Sequence, residues 1–303
     1  MKVIVAAPRG FCAGVSRAVD MVEAALERWG PPVYVRRQIV HNKRVVAELA
    51  AKGAVFIDEV EEAPAGRPLL FSAHGIAPSV RDSAAARQLK TIDATCPLVT
   101  KVHAEARRFA RQGCDIIYVG HAGHDEALGT MGEALDRTHL VQTVEDVDSL
   151  DLPPEAKVAY LTQTTLGVDE TAGIIDALQR RFPSILSPTK EDICYAATNR
   201  QLAVKLMAPR CDLVLVVGSS NSSNAHRLVE VAQSAGTPAH LVDSPADIEP
   251  AWLVGAGTVG VTGSASTAEA AVQELVAWLQ PASVEELRAL DEDVRFNLPI
   301  DFR

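Results

Sequence analysis

The chain repeats itself three times, and that repetition limits what it can fold into more than any other feature. Three amphipathic helical stretches each open on a cysteine: CAGVSRAVDMVEAALERWG from Cys12, CPLVTKVHAEARRFARQG from Cys96 and CYAATNRQLAVKLMAPR from Cys194. A β-rich segment follows each one, VYVRRQIV, DIIYVG and DLVLVVG, and runs into a polar loop, VHNK, GHAGHDE or SSNSSN. His41, His124 and Ser222 in these loops lie 29, 28 and 28 residues after the cysteine of their copy. A second strand-to-loop junction closes each copy: LLFSAHG at His74, VAYLTQTT at Thr164 and TVGVTGSAS at Ser266.

Strand signals alternating with helix signals imply small parallel sheets covered by helices on both faces. The expected fold is therefore α/β, with three pseudo-repeated units over residues 14–96, 97–193 and 194–282. An N-terminal strand within residues 1–13 joins the third unit, and residues 283–303 form a C-terminal helix and tail arm. In parallel sheets ligands sit beyond the carboxyl ends of the strands, and all six polar loops fall at that end. A trefoil arrangement would collect them, with the three cysteines, around one central cavity.

Composition narrows the partners. A formal net charge of −10 over 303 residues opposes a nucleic-acid backbone or an anionic membrane surface. The opening MKVIVAAPRG breaks its short apolar run at Pro8 and Arg9, so neither a secretory signal nor a membrane span is expected. Five scattered cysteines without a signal peptide point to reduced thiols and a cytoplasmic location.

The cysteines divide into two classes. Cys114 and Cys211 each precede Asp at the start of an apolar strand, the setting of a packing residue. Cys12, Cys96 and Cys194 each stand at a helix start, where backbone N–H groups and the helix dipole favour thiolate. Three thiolates that converge would bind a soft metal centre and leave one coordination position open. Two centres answer that description: a cubane iron–sulfur cluster with one iron lacking a protein ligand, or zinc completed by His41, His74 or His124.

The loops carry complementary chemistry. Serine hydroxyls, an amide and backbone N–H groups in SSNSSN at a helix start can cradle an anion, and GSAST repeats that chemistry at Ser266. Glu126, two residues after His124, would have its carboxyl raised in pKa by desolvation in a dry cavity, as a general acid requires. Thr164 and Thr165 are read as a proton relay or as the cap of the following helix.

PRGFCAGVSRA, VHN, FSAHG, DATCPLV, GTMG, TQTTL, ICYAATNRQ and NSSN together resemble the signature segments of the 4-hydroxy-3-methylbut-2-enyl diphosphate reductase family, in its order and spacing over nearly the whole chain. The resemblance implies a [4Fe-4S] cluster on Cys12, Cys96 and Cys194, with one iron left for the allylic hydroxyl of the substrate. It implies that His41, His74, His124, Ser222, Ser223, Asn224 and Ser266 hold the diphosphate, that Glu126 donates a proton with His124 nearby, and that Thr164 contacts the hydroxyl. Two electrons, from a carrier of the ferredoxin or flavodoxin type, and two protons would yield isopentenyl and dimethylallyl diphosphate.

The chain departs from the family pattern in two places. Asp125 stands where the family usually has proline, followed by Ala127-Leu128 for a more usual Val-Glu, so an extra carboxyl neighbours Glu126. GSAS replaces a GAS-type turn, which makes Ser264 a competitor for the role of Ser266. A zinc hydrolase on the same Cys/His set and a non-catalytic cluster-binding redox sensor are the rival readings.

Overall fold

The computed structural model of the protein describes residues 1–299 and Phe302. The chain begins β1 (Lys2–Ala7), α1 (Ala13–Trp29), β2 (Val33–Arg36), α2 (Lys43–Ala51), β3 (Ala54–Ile57), β4 (Pro68–Phe71), α3 (Pro78–Ala86), β5 (Lys90–Asp93) and α4 (Pro97–Arg111). It continues β6 (Asp115–Val119), α5 (Asp125–Gly132), β7 (Thr138–Val141), α6 (Val144–Asp148), β8 (Val158–Thr162) and α7 (Val168–Arg181). The last third is α8 (Tyr195–Met207), β9 (Leu213–Val217), α9 (Ser223–Ser234), β10 (Ala239–Val242), β11 (Thr258–Gly263), α10 (Glu269–Trp278) and β12 (Ser283–Arg288).

The strands form three sheets, ordered β10-β9-β11-β1-β12, β3-β2-β4-β5 and β7-β6-β8, and every pairing is parallel. The expected α/β class with small parallel sheets is what the chain adopts. The molecule divides into two compact units. One comprises Met1–Ser16, His41–Arg44 and Tyr195–Arg295 and contains the five-stranded sheet. The other comprises Arg17–Val40, Val45–Cys194 and the residues from Phe296 onward, and contains the other two sheets.

Alternation of side chains across the pleat builds the cores. In the five-stranded sheet Val3, Val5, Leu213, Leu215, Val217, Val259 and Val261 pack with α10 on one face. Ile4, Ala6, Val214 and Val216 pack with α8 and α9 on the other. The β7-β6-β8 sheet does the same, with Ile117 and Val119 turned toward α7, and Ile116, Tyr118 and Leu161 toward α4. In the four-stranded sheet Leu69 and Phe71 cover Ile57, Val60 and the α3 residue Ala84. Strands buried on both faces read as continuous apolar runs, which is how DIIYV and LVLVV appear in the sequence.

One expectation is corrected. The start of the C-terminal segment 283–303 is not a helix: residues 283–288 form β12, in parallel register with β1 from Lys2↔Ser283 to Ala7↔Arg288. EELRAL has good helix formers, but the backbone groups along the open edge of β1 gain partners only from a strand. Lys2 and Arg210 then bind Glu285 at 2.5 and 2.6 Å, and Leu287 joins the core. The end of the expected tail arm, residues 300, 301 and 303, lies outside the described residues. Within the connection from β7 to β8, α6 starts on a reciprocal Thr143/Asp146 capping box and buries Val147.

Candidate active site

Cys12, Cys96 and Cys194 share one local arrangement, repeated three times. Cys12 and Cys194 each immediately precede the first residue of a helix, α1 and α8, and Cys96 is the N-cap of α4. The backbone N–H of each donates to a carbonyl from a second strand-to-loop junction: Cys96 to Ala73 at 2.9 Å, Cys194 to Thr164 at 3.0 Å and Cys12 to Ala265 at 3.0 Å. Each thiol is thus held at the carboxyl end of a strand beside His74, Thr164 or Ser266, by a bond that uses only backbone. At Cys12 the amide of Val15 also donates to Sγ at 3.5 Å. All three are half-buried, and among the described residues no disulfide forms.

The other two thiols have no such setting. Cys114 is fully buried between α4 and β6, and burial pushes the Cys211 thiol up to about 11. At neutral pH the Cys211 sulfur remains a thiol, the wrong form for a metal ligand.

In the larger unit, β6 delivers the loop containing His124, and α5 begins immediately after it. His124 is the N-cap: its Nδ1 accepts the Glu126 amide at 3.2 Å, a geometry that assigns the ring proton of a neutral imidazole to Nε2. Glu126 is 2 % exposed. The Thr164 amide donates to its Oε1 at 2.7 Å and the Thr164 hydroxyl donates to its Oε2 at 2.8 Å. Burial raises the Glu126 pKa to about 7 against the pull of those two hydrogen bonds, with the Asp192 charge adding a smaller push upward. The carboxyl is therefore protonated in a large fraction of molecules at neutral pH.

His74 follows β4, and its ring meets His124 edge-on, with centroids 6.0 Å apart. Close backbone packing holds the two loops together. Gly75 has φ +81°, and a Cβ there would lie 2.9 Å from Nε2 of buried His103. A Cβ on Gly132 would lie 2.5 Å from the Ala77 Cβ, so GTMG lets α5 approach the His74 loop.

Asp125 has its own partner, separate from those of Glu126. Its carboxylate pairs with Arg37, a residue held at φ +54°, and it makes no contribution to the shift of Glu126. The extra carboxyl is neutralised across the loop.

In the smaller unit the segment His41–Arg44 seats on the loops after β9 and β11. Asn42 donates from Nδ2 to the Ser266 carbonyl at 2.7 Å, the Ser266 hydroxyl donates to the His41 carbonyl at 3.1 Å, and Ser219 accepts the Lys43 amide at 3.0 Å. Ser222 caps α9 by accepting the Ala225 amide at 3.3 Å, Ser223 is the first residue of that helix, and Asn224 accepts the Ala265 amide at 3.0 Å. Ser264 is fully buried, bonded to the Thr267 hydroxyl at 2.9 Å, so it belongs to the wall and Ser266 lies nearer the surface.

Sequence reasoning passed over Arg37, Asn42, Lys101 and Asp192. Asn42 sits in the VHN segment beside His41, and Asp192 precedes a cysteine by two residues in EDIC. Arg37 and Lys101 carry no local signal, because their partners are 88 and 91 residues away.

The chain matches the family model described as LytB protein over residues 3–280. It is 55% identical over 306 residues to the 4-hydroxy-3-methylbut-2-enyl diphosphate reductase of Acidothermus cellulolyticus, covering 100% of this chain and 90% of that one. It is 53% identical over 301 residues to a reductase of the same name, numbered 2, from Burkholderia mallei, covering 98% and 92%. Among solved structures, the E-1-hydroxy-2-methyl-but-2-enyl-4-diphosphate reductase of Plasmodium falciparum superposes with a TM-score of 0.96 at 41% identity, covering 100% of this chain and 96% of that one. On this ground, and on the matching order of its motifs, the chain belongs to the LytB protein family.

Proposed function

We propose that this protein is a cytoplasmic reductase that removes the allylic hydroxyl of 4-hydroxy-3-methylbut-2-enyl diphosphate as water, giving isopentenyl and dimethylallyl diphosphate. The relatives at 53% and 55% identity carry the name of that reductase. The observation that carries the reading within this chain is Glu126: a carboxyl buried at 2 % exposure, with a pKa of about 7, clamped at both oxygens by Thr164.

The donor set fits an iron–sulfur cluster. Cys12, Cys96 and Cys194 are the three half-buried thiols at helix starts, each presented by the same backbone bond. Soft sulfur donors suit such a group. When bound, a [4Fe-4S] cluster supplies electrons one at a time and an iron without a protein ligand that can act as a Lewis acid.

The protein's own residues account for the rest. Removing the hydroxyl as water takes two electrons and two protons, and Glu126 stores a proton at neutral pH where an unperturbed glutamate would not. Thr164 orients that carboxyl, and its hydroxyl oxygen accepts from the substrate hydroxyl. His124, bonded through Nδ1, keeps its Nε2 proton as a donor. His41, His74, His124, Ser222, Ser223, Asn224 and Ser266 bind the diphosphate, the serine loop doing so at the N-terminal end of α9. A small ferredoxin- or flavodoxin-type carrier supplies the electrons.

Anaerobic incubation of the protein with the allylic diphosphate and a chemical reductant tests this reading. Conversion to the two five-carbon diphosphates is the expected result. A protein that binds iron and sulfide yet leaves the substrate unconsumed would contradict it.

A further inference from the structure

α4 opens on Cys96, and its Lys101 reaches back to the segment that precedes Cys194. The Lys101 ammonium donates to Asp192 Oδ1 at 2.6 Å and to the Glu191 carbonyl at 3.3 Å, and also bonds the Lys190 carbonyl. The Asp192 side chain is fully buried, and that of Lys101 is 27% exposed. The second Asp192 oxygen, Oδ2, accepts the Thr162 amide at 2.9 Å, where β8 ends. Two residues further along each strand of this web, the Cys194 amide donates to the Thr164 carbonyl, and Thr164 grips Glu126. One buried carboxylate therefore joins the helix of Cys96, the loop of Cys194 and the strand end that holds the acid.

A buried ion pair is a poor device for stability alone, since well-packed apolar side chains of similar volume do as well or better. What charge and direction add is a fixed geometry. Besides their mutual pairing, the bonds of both side chains run to backbone groups of segments that carry the working residues. We propose that Lys101 and Asp192 are a positioning pair that sets the loop carrying Cys194 against the helix carrying Cys96, and so governs how firmly these cysteines retain a metal centre. This rests on the reading of Cys12, Cys96 and Cys194 as cluster ligands.

The test compares Lys101→Met and Asp192→Asn with wild type, with Lys101→Arg as conservative rescue and Lys52→Met, from an exposed pair with Glu23, as control. Each protein is loaded anaerobically with iron and sulfide, its visible absorbance followed after addition of an iron chelator, and its metal-free form melted separately. Expected are iron loss about tenfold faster in both pair variants, the usual scale for removing a group that orients metal ligands, and wild-type loss in Lys101→Arg and Lys52→Met. The metal-free melting midpoint should stay close to wild type in Asp192→Asn and fall in Lys101→Met, which leaves a buried carboxylate without its counter-charge. Equal iron loss in all five proteins overturns the positioning role. So does a large drop in the metal-free melting midpoint of Asp192→Asn, which would assign the pair to general stability. A wild-type protein that takes up no iron or sulfide would instead contradict the reading of the cysteines.

Discussion

At the scale of single residues, the chemistry concentrates on Glu126, a buried acid in the first turn of α5. Its pKa of about 7 lies well above the ordinary 4.5, with burial as the first cause. Two consequences follow. Glu126→Gln keeps the shape and the Thr164 contact but cannot deliver a proton, so turnover should fall by about 10²–10⁴-fold with KM changing little. Steady-state kinetics of the variant check this, and full activity would refute the acid role.

The second consequence concerns pH. A carboxyl whose folded pKa is raised favours the folded state below its unfolded pKa near 4.5, and that contribution is lost as pH rises through about 7. Wild-type protein should therefore lose stability between pH 5 and pH 8, by up to about 3 kcal/mol from this group. Glu126→Gln should lack that component, as denaturant melts at the two pH values will show. In catalysis the same titration makes the rate fall as pH rises above about 7. Asp125 was legible as an odd carboxyl beside Glu126, but its neutralisation by Arg37 was not, since that pairing spans 88 residues.

At the scale of elements, strand and helix positions were readable because the period changes at each cysteine and the repeat supplies three copies of every signal. What decided the exceptions was tertiary. Residues 283–288 favour helix locally, and the unfilled edge of β1 made them a strand. GTMG was readable as a motif but not as a spacing device, which needs the neighbouring loop in view. Two glycines separate these cases. Gly132→Ala places a methyl group 2.5 Å from the Ala77 Cβ. That overpacking should cost about 1–3 kcal/mol, outweighing the helix propensity of alanine, and should lower turnover by shifting α5. Gly173→Ala, on the exposed side of α7 with nothing within 4 Å, should stabilise by about 0.5–1 kcal/mol. Thermal melts of the two variants should move in opposite directions.

At the scale of the whole molecule, the C-terminal arm is part of the architecture of its compact unit. Arg200 of α8 is fully buried; it meets Glu292 of the arm through both terminal nitrogens at 3.2 Å and donates to the Gly10 carbonyl at 2.7 Å. Asn199 adds a bond to Glu292 at 2.8 Å. Gly10 lies two residues before Cys12, so the arm braces the loop that presents that thiol. Glu292→Ala leaves a buried guanidinium without its counter-charge and should cost about 3–5 kcal/mol, read from a denaturant melt. The pairing joins positions 92 residues apart, and the tail read alone suggested a helix and an arm without this partner. Fold class, the three sheets and the cysteine positions were thus open to inspection of the sequence. The ion pairs that brace those cysteines were not, because they obey no spacing rule.

The most direct test of the central claim is an anaerobic iron and acid-labile sulfide determination with a visible spectrum, made on wild type and on Cys12→Ser, Cys96→Ser, Cys194→Ser and Cys114→Ser. Wild type should be brown with about four irons and four sulfides per chain. Each of the first three variants should lose most of that content, and Cys114→Ser should keep it. A colourless wild type carrying a single zinc, or equal loss of iron on replacing Cys114, would contradict it.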